Sequence, residues 1–304
     1  MSTMTTEGPT RSRRTLKLRN TLTSWSFILP NFLGFGAITL LPVILLFYIS
    51  FTKWNVFGKA TWIGTANFTR LLHDASFHKA LINTLYYSAL HIPLTLVISL
   101  SMALLLNTKM RGVTFFRTAA FFPFITSIVA ISAVWNMLYS PDYGVINQVL
   151  RSVGIDNPPG WTNSSTWAMP ALIIVSVWRD AGYYMLLFLA GLQTVPRDLY
   201  EAARTDGANA WQRFVNVTLP CLRPTTFFIT VILTIGSLKI FDLVLVMTNG
   251  GPGQATTVLS QFIYKKGFLE NDYGYASSAA VVLFLISIGI TVVQFVVNKK
   301  RDES

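Results

Sequence analysis

Six stretches of the chain read as nearly unbroken apolar runs: 25–51, 81–106, 118–139, 168–193, 225–247 and 276–297. Each reaches the roughly 20 residues that a helix needs to cross the hydrocarbon core of a bilayer. In lipid a helix satisfies its own backbone, so runs of this kind predict an all-α membrane protein with six transmembrane helices. Pro30, Pro42, Pro93, Pro123 and Pro170 fall in these runs or at their edges, where neighbouring helices and water can re-satisfy the freed carbonyls. The stretch 194–224 has a different pattern. Pro196 suits a first helical turn and Gly207 a C-terminal stop. Between them Leu199, Ala202 and Ala203 share a face, and after the glycine Asn209 and Gln212 have capping-box spacing. Trp211, Phe214, Val215 and Leu219 then form a second apolar face. Two short amphipathic helices joined at a glycine fit either a docking element or an interfacial segment resting on lipid headgroups.

Composition agrees with the pattern. Apolar residues make up 52% of the 304, charged residues 12%, and mean hydropathy is +0.49. A soluble domain carries about 25% charged residues, so this chain cannot solvate its own surface. The same figures exclude a disordered chain, a collagen and a disulfide scaffold. The single cysteine, Cys221, can form no internal bridge and no cysteine metal site. The net charge of +11 would suggest nucleic acid in a soluble protein. Here its distribution explains it. Segments on one side of the six runs hold 15 Lys and Arg, those on the other side 7. The positive-inside bias places both termini in the cytoplasm, with 1–24 and 298–304 as cytoplasmic tails around a membrane domain at 25–297. No nucleic-acid partner is needed. The first run far exceeds the roughly 7–15 apolar residues of a signal peptide and reads as a retained anchor.

Catalytic chemistry is missing. There is no G-x-x-x-x-G-K-[ST] phosphate loop and no H-E-x-x-H, and His73, His78 and His91 are scattered. The chain is expected to be no enzyme and to hold no metal or cofactor.

Two segments carry a resemblance. "YEAARTDGANAWQRFVNVTLPCLRP" resembles the EAA loop of inner-membrane permeases of binding-protein-dependent ABC importers, through Glu201, Ala202, Ala203, Asp206, Gly207, Ala208, Phe214, Leu219 and Pro220. Val217 stands where isoleucine is more usual. The match falls between the fourth and fifth runs, on the side that the charges assign to the cytoplasm. "FDLVLVMTNGGPGQATTVL" is similar to a stretch after the fifth span of carbohydrate-type permeases, through Phe241, Asp242, Gly250, Gly251 and Pro252, with Asn249 where glycine is frequent. It is typical of the first of their two permease subunits. The resemblance implies a type I importer permease for a sugar, oligosaccharide or polyol, working by alternating access. Its implied partners are a second, homologous permease, two copies of an ABC ATPase that uses ATP and Mg, an extracytoplasmic solute-binding protein and membrane lipid. The loop 194–224 is then the coupling element that enters the ATPase. Two other readings compete: an importer of the same architecture for a polyamine or phosphate, and a lipid-modifying membrane enzyme. The first lacks support from the second segment, and the other lacks catalytic groups.

Four charges fall inside the runs: Arg179, Asp180, Lys239 and Asp242. Ionisable residues in spans are costly, by roughly 2.5–3.5 kcal/mol near mid-span on insertion scales. All four fall in the outer half, and Lys239 and Asp242 are three apart, on one face of a continuous helix. An ion-pair network fixing the helices together is one reading. A polar wall of a solute pathway, with Trp178, Tyr183 and Tyr184 stacking on sugar rings, is the other. The orientation is directly testable. Reporter fusions after Pro224 are predicted to report cytoplasm, and fusions near Gly160 and Gly253 the outside; the reverse pattern overturns the charge argument.

Overall fold

The computed structural model describes residues 25–302 except 56–57 and 109–110. The basic tail 1–24 and Lys109, which carry part of the charge asymmetry, lie outside the described residues. Helix α1, Trp25–Ser50, is long, apolar and largely exposed. A two-residue ribbon follows, β1 (Thr52–Lys53) antiparallel to β2 (Thr61–Trp62), with Thr52 opposite Trp62. It is the one departure from all-α structure among the described residues. The short helix α2 spans Ala66–Leu72 and the long α3 spans Ala75–Leu106. Asp74 caps α3, its carboxylate accepting from Ser76 N–H at 2.8 Å and Phe77 N–H at 3.2 Å. That cap starts the helix ahead of the apolar run at 81. Burial raises the Asp74 carboxyl, but the Tyr275 hydroxyl and these two N–H groups outweigh it and hold the group below its ordinary value.

The third run is not one straight span. It forms α4 (Val113–Ile125) and α5 (Ile128–Leu138), bent by 98°. Pro123 removes a backbone donor just before the bend. Thr126 and Ser127 then take extended conformations, and Thr126 Oγ1 donates to Phe122 O at 2.8 Å, a local alternative to continuing the helix. After α6 (Val145–Ser152) comes α7, Ala168–Gln193, with the bounds read from hydropathy. It is the most buried of the spans and packs against α3 and α4.

The remaining helices are α8 (Arg197–Thr205), α9 (Ala210–Cys221), α10 (Arg223–Leu238), α11 (Asp242–Met247), α12 (Leu259–Tyr264) and α13 (Tyr273–Asp302). Helices α9 and α10 meet at 65°. The fifth run therefore differs from its expectation as one helix over 225–247. It stops at Leu238, where Lys239 N–H turns back to Gly236 O at 3.2 Å, and resumes at Asp242 after Phe241 at φ −144°, ψ −61°. Gly236 and Ser237 are weak helix formers, and Ser237 turns its hydroxyl to His91. Helix α13 runs through 298–302, residues read as the start of a tail. Among the described residues, α1, α3, α7 and α13 are each long and apolar enough to cross a membrane, and the bent pairs α4/α5 and α9/α10 qualify as broken spans.

The α7–α4 contact depends on Gly182, where a Cβ would overlap the Ala120 carbonyl oxygen and crowd the Phe121 backbone. Overpacking of a well-fitted contact costs about 1–3 kcal/mol, and here the obstacle is backbone. Gly182→Val is expected to abolish most of the monodisperse peak in size-exclusion chromatography of the detergent-solubilised protein. Gly289→Ala, with nothing within 4 Å of the new methyl, is expected to leave that peak unchanged.

Candidate functional site

Helix α3 carries a polar stripe through an apolar sequence: Thr84, Ser88, His91, Thr95 and Ser99, all buried. Spacings of four and three put them on one face. The middle of this stripe meets α7 and the end of α10. His91 is 2% exposed, and its Nδ1 lies 2.9 Å from Ser237 Oγ on α10. Its Nε2 lies 3.3 Å from Asp180 Oδ2 on α7, within ion-pair distance but out of line for a hydrogen bond. The ring stacks on Tyr87 at 5.0 Å. The other oxygen of Asp180, Oδ1, is 3.6 Å from Arg179 Nη1, and the Arg179 guanidinium sits 5.6 Å over the Phe124 ring. One carboxylate thus joins a cation on its own helix to an imidazole on the next.

These groups border a cavity of about 250 Å³, whose wall includes Arg179, Asp180, Tyr184, Lys239, Phe241 and Asp242. Of the residues singled out from sequence, the fold brings those six together. Trp178 points elsewhere, packing edge-on against Trp135 at 5.4 Å, and Tyr183 lies flat on Phe124 at 4.3 Å. Neither borders the cavity. Lys239 and Asp242 do not share a helix face, because α10 ends between them, and neither forms an ion pair among the described residues. Lys239 stands at the C-terminal end of α10 and Asp242 in the first turn of α11. Each charge complements the local end of a helix dipole. Phe241, read as part of an outer-loop motif, faces the cavity, whereas Gly250, Gly251 and Pro252 lie apart from it. That glycine loop is tied down by Asn83 of α3, whose Nδ2 donates to Gln254 O at 3.0 Å and Thr257 O at 2.9 Å.

Sequence reasoning missed Tyr87, Phe124, Ser176 and Ser237 on the cavity wall; His91, expected from its place before Pro93 to be packed or hydrogen-bonded, is both. The polar stripe on α3 was the available signal. Hydroxyl residues recurring at helical spacing inside a span mark its inward face.

At one end of the bundle, α8 buries none of its residues. Glu201, Ala202 and Asp206 are exposed, and Ala203, Ala208, Phe214, Leu219 and Pro220 half-buried. Gly207 takes φ +82° and closes the helix. Asn209 then caps α9, accepting from Gln212 N–H at 2.9 Å while the Gln212 side chain returns to Asn209 N–H at 2.8 Å. Tyr200 and Thr218 hydroxyls meet at 2.9 Å and hold the two helices together.

A bundle of broken and unbroken spans around a charged cavity, with an exposed elbow at one end, defines a membrane subunit built to let a solute pass. The chain belongs to the family of binding-protein-dependent transport system inner membrane components, which it matches over residues 95–303. It is 35% identical to the lactose transport system permease protein LacF of Rhizobium radiobacter, over 96% of this chain and 99% of that one. Two solved structures share its fold. A bacterial ABC transporter involved in import of the acidic polysaccharide alginate superposes with TM-score 0.83 at 26% identity, over 95% of this chain and 99% of that one. A bacterial alginate ABC transporter in complex with an alginate pentasaccharide-bound periplasmic protein gives 0.81 at 25%, over 91% and 94%. The fold is that of a type I ABC importer permease.

Removing Asp180 strands both Arg179 and the His91 contact. Asp180 is 16% exposed and Arg179 31%, so the loss lies below the roughly 3–5 kcal/mol of breaking a fully buried pair from one side. Asp180→Ala is therefore expected to lower the thermal stability of the purified protein more than Asp242→Asn or Lys239→Met. Because Lys239 and Asp242 are not paired, their two stability changes should add in the double variant. A strong non-additive rescue in a thermal-shift assay would show that they form a pair after all.

Proposed function

We propose that this chain is the membrane permease of an ATP-driven importer that passes a sugar, oligosaccharide or related polyol across the cytoplasmic membrane by alternating access. In this reading the six runs are six spans, α4 with α5 counting as one and α10 with α11 as another, with both termini cytoplasmic. Residues 25–297 form the permease domain between tails 1–24 and 298–304. The chain pairs with a second, homologous permease, two ATPase copies and an extracytoplasmic binding protein. ATP and Mg are used by the ATPase; this chain binds no cofactor and catalyses no reaction. The lactose permease and the alginate importer support the carbohydrate class.

The observation that carries the reading is the elbow of α8, Gly207 and α9. A helix with no buried residue is stabilised by little of its own and needs a partner surface. Glu201, Ala202, Ala203, Asp206, Gly207, Ala208, Phe214, Leu219 and Pro220 form that coupling surface. The small side chains of Ala202 and Ala203 allow close approach, Glu201 offers a charge, and the elbow angle is set by the left-handed backbone at Gly207. Motion of the ATPases enters α8, passes through α9 into α10, and reaches the break at 239–241 beside the cavity. Arg179, Asp180, Tyr184, Lys239, Phe241 and Asp242 act as the pathway wall there.

A Cβ at Gly207 meets no atom within 4 Å, so substitution strains only the backbone, by roughly 1–3 kcal/mol. Gly207→Val is expected to insert and assemble near wild-type yield and to lose at least about tenfold in uptake, a coupling loss of some 1.4 kcal/mol. A cysteine at Ala202 should cross-link to the ATPase. Normal uptake by Gly207→Val, together with no cross-link in any nucleotide state, would remove the coupling role.

A further inference from the structure

We propose that His91 is a positioning residue for transport: held by Asp180, it draws the Ser237 hydroxyl out of α10 and so fixes where the fifth run breaks. The contact itself is independent of the permease reading above; its consequence for transport rests on that reading.

Five consecutive residues, Lys239 to Leu243, border the cavity, together with Gly236 and Ser237. Successive residues of an unbroken helix turn by about 100°, so no single helix face presents all five. The break between α10 and α11 is what gives the cavity this wall. Earlier in α10, Thr230 and Thr234 turn their hydroxyls back to the carbonyls four residues before, each at 2.7 Å. Ser237 departs from that pattern. Its hydroxyl lies 2.9 Å from His91 Nδ1, and the helix ends one residue later, at Leu238. The surroundings of the imidazole suit it to hold that hydroxyl. His91 and Ser237 are both 2% exposed, so bulk water does not compete for the contact. Tyr87 stacks on the ring at 5.0 Å and sets its plane. The Asp180 carboxylate, 3.3 Å from Nε2, favours the neutral tautomer with its proton on that nitrogen. Nδ1 is then left as an acceptor, and the Ser237 hydroxyl donates to it. Asp180 on α7 thus acts on the break through His91 on α3.

The test places one reporter cysteine, Ile240→Cys, in a chain also carrying Cys221→Ser. Its reaction with a water-soluble methanethiosulfonate is timed in membranes that carry the whole importer. Ile128→Cys, on α5 at the same cavity, is the control. Ser237→Ala and His91→Leu are each expected to slow labelling at 240 by about three- to tenfold, the population shift that one hydrogen bond can hold. Labelling at 128 should not change. His91→Asn, whose amide still meets Ser237 from the Nδ1 position, should restore the 240 rate. The double variant should be no slower than the slower single. Equal slowing at 240 and 128 would mean that His91 only packs the bundle. An unchanged 240 rate in Ser237→Ala, the milder change, would mean that the break needs no hold from α3. Either result overturns the proposal, as does a further loss in the double variant. Transport is read by mass spectrometry as chain-dependent uptake from a mixed pool of neutral and acidic oligosaccharides. Uptake by Ser237→Ala should fall in step with its labelling rate; wild-type uptake with slowed labelling overturns the role in transport. A wild-type chain that imports no member of the pool overturns the carbohydrate reading and leaves the labelling result standing.

Discussion

The structure depends on one constraint: at membrane depth, polar groups and non-helical backbone are tolerated only against protein or around an internal cavity. His91, Asp180, Arg179 and Ser237 obey it by turning toward one another across three helices. The two breaks in the spans obey it as well. Phe124 and Ile128 flank the bend between α4 and α5, and residues from Gly236 to Leu243 run through the break between α10 and α11. Both sets border the same cavity. The places where the helices fail are thus gathered at the place where a polar lining is useful.

The two ends of the bundle are held differently. At one end, Arg70 Nη1 pairs with Asp272 at 2.7 Å, its Cζ lies 3.8 Å over the Tyr275 ring, and the Tyr275 hydroxyl donates to Asp74 at 2.7 Å. These contacts lock α2 and the cap of α3 to the start of α13. The glycine loop is likewise fastened to α3 through Asn83 and through Thr84, which accepts from Leu259 N–H. At the other, α8 is joined to α9 by one hydroxyl contact and a glycine turn. One end is thus cross-braced, while the elbow has little packing of its own. Helix α9 carries a π-helical turn at Phe214–Thr218 before the 65° bend into α10.

Sequence alone determined that the chain is an all-helical membrane protein, because hydrocarbon demands long apolar runs and those are countable. It also determined the elbow, since Gly207 and the Asn209–Gln212 capping box act on neighbours within a few residues. The bounds of α7 could be read directly. What tertiary structure decided was continuity and facing. The runs at 118–139 and 225–247 look unbroken because hydropathy averages over Thr126–Ser127 and over Lys239–Phe241, whose backbone turns only when surrounding helices accept it. The face shared by Lys239 and Asp242 vanished with that helix. Trp178 and Tyr183 face away from the cavity that Tyr184 borders, because the rotation of α7 about its axis is set by packing against α3 and α4. The contact between His91 and Asp180 joins residues 89 apart in the chain, and no local periodicity encodes a meeting of two helices at that depth.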